Sequence, residues 1–268
     1  MGEVYLHGHG PSVIASHTTR TAADSAAYLL PHLRAADALL DVGCGPGTIT
    51  LDLAAAVAPG TVIGIDAVEA PLIGARRRAS ARGDRQTAFA VADVSELPWD
   101  AGRFDVVHAH QVLQHLTDPV AALREMGRVT RAGGIVAVRD ADYGSMVWYP
   151  EPPGMTRWME VYQAAARANH AEPNAGRRLT GWSHAAGLTE LTASASTWSY
   201  TTPEQCAWWG ATWARRVLDS TYATEAVRHG LATRGELEQM SEAWLEWSRH
   251  PDAWFAMTHG EVLAHVSQ

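Results

Sequence analysis

The chain has 268 residues, 47% of them hydrophobic, and a formal net charge of −8. That length can bury a core as one large domain or as a domain with a cap, and no apolar run approaches the roughly eighteen residues of a membrane span. The acidic balance argues against a nucleic-acid partner, whose phosphates need clustered cations. All 21 basic residues are arginine, which removes lysine-based Schiff-base chemistry.

In chain order, the first fifteen residues carry His7, Gly8, His9, Gly10 and Pro11 in place of a basic region followed by an apolar stretch, so no secretory leader is expected. Residues 18–33 read as a helix capped by Thr18 or Thr19, with Ala22, Ala26, Leu29, Leu30 and Leu33 on one face and Pro31 in the last turn. Strands are expected at 38–42, 61–65, 87–91, 104–109 and 134–139, alternating with helices at 47–57, 71–82 and 118–129. Such alternation implies a parallel sheet with right-handed crossovers and helices on both faces. After Pro150, Pro152 and Pro153 come helices at 155–169 and 178–186, a strand at 189–200, helices at 203–218 and 234–248, and a last strand at 254–266. Arg76, Arg77, Arg78, Arg82 and Arg85 lie on the second expected crossover helix and read as its solvated face.

The most telling segment is Leu39-Leu40-Asp41-Val42-Gly43-Cys44-Gly45-Pro46-Gly47. An apolar strand ends in an acid and then in glycines at alternate positions, which let backbone approach a ligand closely. A dinucleotide fingerprint spaces its glycines G-x-G-x-x-G and binds pyrophosphate; here an acid precedes the first glycine and would repel it, while attracting an ammonium. Asp66 closes the next strand, where a carboxylate can bind ribose hydroxyls or cap a turn. Asp93 follows the third strand in Ala92-Asp93-Val94, and the fourth leads into His110-Gln111-Val112-Leu113-Gln114-His115.

These ordered motifs, spread over residues 37–140, resemble the class I S-adenosylmethionine-dependent methyltransferases, and most closely the methyltransferase-type-11 group with its quinone-biosynthesis and natural-product enzymes of secondary metabolism. The resemblance implies an α/β, Rossmann-like, seven-stranded and mostly parallel sheet whose last strand is antiparallel, with helices on both faces and a helical cap. It implies an N-terminal helical lid at 1–36 and a catalytic domain at 37–268, with cap segments near 150–178 and 202–250. For S-adenosylmethionine it implies a site made from Asp41, Gly43, Gly45, Gly47, Asp66 and Ala67, with Asp93 and Val94 at adenine and His110 and Gln111 at the methionine part. Arg20, in His17-x-x-Arg20-Thr21, would pair with the methionine carboxylate, for which a guanidinium is suited, or stand exposed on a helix. His115 reads as a packing residue more than a base.

Methyl transfer from a sulfonium needs alignment and exclusion of water, and a base only when the acceptor must lose a proton. His110, Asp140, Tyr143 and His259 are the candidate groups around the acceptor. Ten of the eleven tryptophans fall at or after Trp148, among them Trp208, Trp209 and Trp213 on one helix and Trp244 and Trp247 on another. That spacing favours core packing, yet the concentration also suits an aromatic, apolar or cationic small acceptor. No Asn/Asp-Pro-Pro-aromatic motif follows the fourth strand, which disfavours the adenine and glutamine N-methyltransferases. His7-x-His9 and His108-x-His110 have no clear third ligand, so no metal is expected. With Cys44 in the proposed cofactor loop and only Cys206 besides, a reducing cytoplasm is the expected home, for a monomer or homodimer. The competing readings are a nicotinamide-dependent oxidoreductase and a noncatalytic adenosyl-binding protein.

Overall fold

The structure, a computed structural model, describes residues 16–267; His7 and His9 lie outside the described residues. At its centre is β1 (Leu39–Val42), buried at every position, as expected of a parallel strand covered on both faces. It pairs in parallel with β2 (Val62–Asp66) on one side and β4 (Phe104–His110) on the other. Outside these lie β3 (Thr87–Val91) and β5 (Thr130–Ala141), also parallel. Long β8 (Trp254–His265) is antiparallel to β5 and to β7 (Glu190–Tyr200), and its first residues also pair with β6 (Val147–Tyr149). The sheet thus has eight strands among the described residues: the seven expected, plus the unforeseen three-residue β6 just before Pro150.

The crossovers are α2 (Thr48–Val57), α3 (Glu69–Arg82) and α4 (Pro119–Val129). The last begins at Asp118, whose side chain accepts from the Ala121 amide, with proline at the first helical position, where its missing N–H costs nothing. Successive β1 side chains point to opposite faces. Leu39 therefore joins Leu53, Ala54, Val57 and Val62, while Leu40 joins Val107, Leu123 and Met126.

The N-terminal segment corrects the expected single helix at 18–33. Only α1 (Ala22–Ser25) is helical there, followed by a 3-10 turn at Leu30–His32 that has Pro31 inside it. The cap is Thr21, not Thr18 or Thr19: its hydroxyl accepts from the Asp24 amide and Asp24 reaches back to the Thr21 amide, a capping box. The apolar face survives this break, because Ala22, Ala26 and Leu29 are still buried against α2.

The C-terminal half contains α5 (Pro153–Ala168), α6 (Leu179–Ala185), α7 (Pro203–Asp219), α8 (Thr221–Arg228) and α9 (Arg234–Arg249), of which α8 was unforeseen. Helices α5, α7 and α9 enclose an aromatic core in which Trp158, Trp213, Trp244 and Trp247 are at most 1% exposed. Trp158 meets Trp213 and Trp244 edge-on at 4.6 and 4.8 Å, the arrangement that ring quadrupoles favour. Most of the tryptophan stripe is therefore core, and Trp208 is its exposed member.

Candidate functional site

The carboxyl ends of β1, β2, β3 and β4 open at one edge of the sheet, where strand order reverses around β1 and open α/β sheets bind their ligands. A cavity of about 270 Å³ sits there, lined by Asp41 to Pro46, Ile65 to Val68, Ala92 to Val94 and His110 to Val112. Of the residues the sequence assigned to a donor site, Arg20, Asp41, Gly43, Gly45, Asp66, Ala67, Asp93, Val94, His110 and Gln111 all line it.

Gly47 does not. It precedes α2 with φ of +76°, and a Cβ there would lie 2.8 Å from Ala75 Cβ and 3.1 Å from the Phe89 ring. Its missing side chain lets the loop pack on α3 and β3. Gly45, with φ of +52°, is the converse: a Cβ would meet nothing within 4 Å, so the loop backbone is bare toward the cavity.

The acids are held firmly. Asp41 and His108 are register partners on β1 and β4, and His108 Nδ1 donates to Asp41 Oδ1 at 2.7 Å while Thr50 Oγ1 donates to Oδ2 at 2.6 Å. His108, considered above beside His110 as a metal pair, thus orients a cavity carboxylate. Asp66 accepts from the Gly45 amide at 3.1 Å and the Val68 amide at 3.2 Å, tying the glycine loop to the end of β2. Asp93 Oδ1 accepts from the Ser95 amide and hydroxyl, both at 2.8 Å, so it caps a turn as well as facing the cavity. Burial, reinforced by Asp41 and Asp66, pushes the Cys44 thiol well up.

A second cavity, of about 340 Å³, lies against β7 and α7. Its walls are Trp198, Tyr200, Trp208, Trp209, Trp213, Tyr143, Met146 and Met257, with Arg20, Asp24, Gln111 and Arg216 among the polar groups. His17, Arg20 and Gln111 line both cavities. At this border Arg20 Nη2 donates to Gln111 Oε1 at 2.8 Å, and its guanidinium lies 5.4 Å from the Trp198 ring centre. Gln111 Nε2 donates in turn to His259 Nε2 at 2.8 Å. Gln111 holds φ at +55°, rare for a residue with a side chain and the sort of strain that persists at functional sites. Sequence reasoning took Gln111 as a donor contact only and left His17 unassigned.

The four residues placed near an acceptor separate. Tyr143 lines the second cavity, stacked on Tyr162 at 4.2 Å, with burial raising its hydroxyl pKa. His110 lines the first, and its Nδ1 faces Arg139 Nη1 at 3.5 Å; burial, then Arg139 and Arg20, hold its pKa well below the usual imidazole value. Asp140 and His259 line neither cavity. Asp140 is fully buried behind the wall, accepts from the Gln114 amide at 3.2 Å, and has its pKa raised by burial to about 7. His259 stands behind Gln111, its pKa depressed by burial and by Arg139 and Arg20. His115 takes a bond from Gln114 Nε2 at 2.9 Å, and burial with Arg20 lowers it to about 3. Both shifts keep these rings neutral at physiological pH.

A Rossmann-like sheet whose acid-glycine loop and two further strand-end acids converge on one cavity defines a class I S-adenosylmethionine-dependent methyltransferase. Comparison with known proteins agrees. The methyltransferase domain model matches residues 33–202, and the chain belongs to that family. It is 33% identical to the uncharacterized methyltransferase C1B3.06c of Schizosaccharomyces pombe, over 97% of this chain and 95% of that protein. It is 36% identical to the 27-O-demethylrifamycin SV methyltransferase of Amycolatopsis mediterranei, over 58% of this chain and 55% of that one. The fold also matches the YcgJ protein of Bacillus subtilis with a TM-score of 0.58 and 17% identity, across 90% and 97% of the two chains. The oxidoreductase alternative is thereby set aside. Among the described residues no helix is long and apolar enough to cross a membrane.

Proposed function

We propose that the chain transfers a methyl group from S-adenosylmethionine, bound in the first cavity, to a small organic acceptor bound in the second. The observation that carries this reading is the shared border: His17, Arg20 and Gln111 face both spaces, so ligands of the two cavities meet there. The donor residues suit an adenosyl sulfonium on their own chemistry, since three carboxylates, Asp41, Asp66 and Asp93, line the cavity and the Gly45 backbone is bare. When bound, S-adenosylmethionine supplies an electrophilic methyl group and leaves as a neutral thioether.

The chain's own groups do the rest. Asp66 accepts ribose hydroxyls, Asp93 and the Val94 amide receive adenine, and Arg20 faces the methionine carboxylate. Gln111, clamped between Arg20 and His259, fixes the border so that acceptor and donor are aligned, and the aromatic walls exclude water. For a protic acceptor, His17 is the imidazole in place to take the proton. The relative acting on 27-O-demethylrifamycin SV supports a small-molecule acceptor. The test is incubation with methyl-labelled S-adenosylmethionine and fractionated small-molecule extracts. Label entering a compound that competes for the second cavity supports the reading. Tight cofactor binding with label entering only protein or nucleic acid overturns it.

A further inference from the structure

Two arginines are almost wholly buried among the described residues, and they are treated very differently. Arg139 is 0% exposed and its charge is answered: Glu261 Oε1 lies at 3.1 Å and Ser196 Oγ at 2.9 Å. This pair follows from register, because His110, Arg139, Glu261 and Ser194 form one row across β4, β5, β8 and β7. Arg216, on α7, is 4% exposed and has no carboxylate within ion-pair distance among the described residues. Its Nη2 donates to Ser16 Oγ and its guanidinium stacks on Trp213 at 4.9 Å, while Nε is buried without an acceptor. A guanidinium carries five N–H donors, and a buried cation lacking a counter-ion is costly to keep.

Arg216 lines the second cavity and not the first. Around it stand Trp208, Trp209, Trp213 and Tyr200, flat apolar surface suited to an aromatic ring. Among the described residues the only acid of that cavity wall, Asp24, is already engaged by the Thr21 amide and hydroxyl and the Ser25 hydroxyl. With Arg20 also on the wall, the cavity is disposed toward negative charge and against the cationic acceptors that tryptophans alone allow.

We infer that the acceptor is an aromatic acid, whose carboxylate pairs with Arg216 while its ring stacks on the α7 and β7 aromatics. This inference rests on the second cavity being the acceptor site. It makes Arg216 a specificity-determining residue: an anionic group completes the pairing that the fold leaves open, and a guanidinium can take it with two parallel bonds.

The test uses 2-naphthoate, its neutral methyl ester and 2-naphthylmethylammonium as probes, with binding to the full chain read by tryptophan fluorescence in saturating S-adenosylhomocysteine. The expected result is that naphthoate binds at least tenfold tighter than the ester and the ammonium binds weakest. Arg216→Gln should abolish the preference for naphthoate over the ester, and Arg216→Lys should retain part of it, with thermal melts showing which variants are folded. Equal affinity for naphthoate and ester in the wild type, or a preference unchanged in folded Arg216→Gln, overturns the inference. Calorimetry with S-adenosylhomocysteine separates the two levels: its failure to bind strikes at the donor reading, whereas normal binding without anion preference strikes at Arg216 alone.

Discussion

Replacing Asp66 with asparagine separates two roles that the structure gives one carboxylate. Its oxygens accept from the Gly45 amide at 3.1 Å and the Val68 amide at 3.2 Å, and the same group faces the donor cavity. In Asp66→Asn one amide oxygen remains to accept, and the new NH2 confronts the other backbone N–H. Losing one net bond at a half-buried site costs stability about 1 kcal/mol, a fall in Tm of about 2–4 °C for a chain of this size. If Asp66 also receives ribose hydroxyls, the lost charged acceptor weakens S-adenosylhomocysteine by about 1.5–3 kcal/mol, roughly 10- to 150-fold in Kd. Calorimetry with S-adenosylhomocysteine gives the second number and a ligand-free melt gives the first. Affinity within about twofold of wild type, beside the expected drop in Tm, would refute the ribose role and leave Asp66 as a tie between β2 and the glycine loop.

Two of the loop glycines should fail in different ways. Gly45→Val projects methyls into open cavity, so cofactor affinity should fall at least tenfold for a stability cost near 1 kcal/mol from the left-handed backbone. Gly47→Ala drives a methyl against Ala75 and Phe89 and should destabilise by about 2–4 kcal/mol in urea melts; the reverse pattern would contradict the packing described. Trp158→Ala should cost about 3–5 kcal/mol as a core truncation, whereas Trp208→Ala, at a residue 37% exposed on the wall of the second cavity, should spare stability and weaken aromatic probes. Acid should destabilise the fold. His110, His115 and His259 have pKa values depressed by burial, so below about pH 6.5 the unfolded chain binds protons that the native one does not. Asp140, raised to about 7, acts oppositely, because the native state holds its proton between about pH 4 and 7. Three histidines outweigh one carboxyl, so stability should fall as the pH drops from about 6 to 4.5; melts that are flat over that range would show the rings to be protonated in the fold. Removing the proposed proton acceptor, His17→Gln should lower kcat and flatten the acid limb of its pH profile, without loss of S-adenosylhomocysteine binding.

The lining of the first cavity was legible because it is local in sequence: each acid or glycine stands within a few residues of a strand end, and the strands announce themselves by apolar runs and spacing. The second cavity was not. Its walls come from the N-terminal segment, β7, α7 and β8, which only tertiary packing brings together, and Arg216 reads in sequence as an ordinary helix arginine. The tryptophans misled in part for the same reason, since spacing on a helix does not tell which ring meets another helix and which meets a cavity. At the N-terminus, propensity lost to Pro31, yet the apolar positions still found their places against α2. Asp140 and His259 were expected near an acceptor from their positions along the chain; both are buried and line neither cavity, and burial sets their protonation.

A crystal structure of the full chain with S-adenosylhomocysteine tests the central claim most directly. The adenosyl group is predicted to lie beside Asp66 and Asp93, with the thioether sulfur at the border formed by His17, Arg20 and Gln111, facing the second cavity. A sulfur turned away from that border, or adenine seated among Trp198, Trp208 and Trp209, would contradict it.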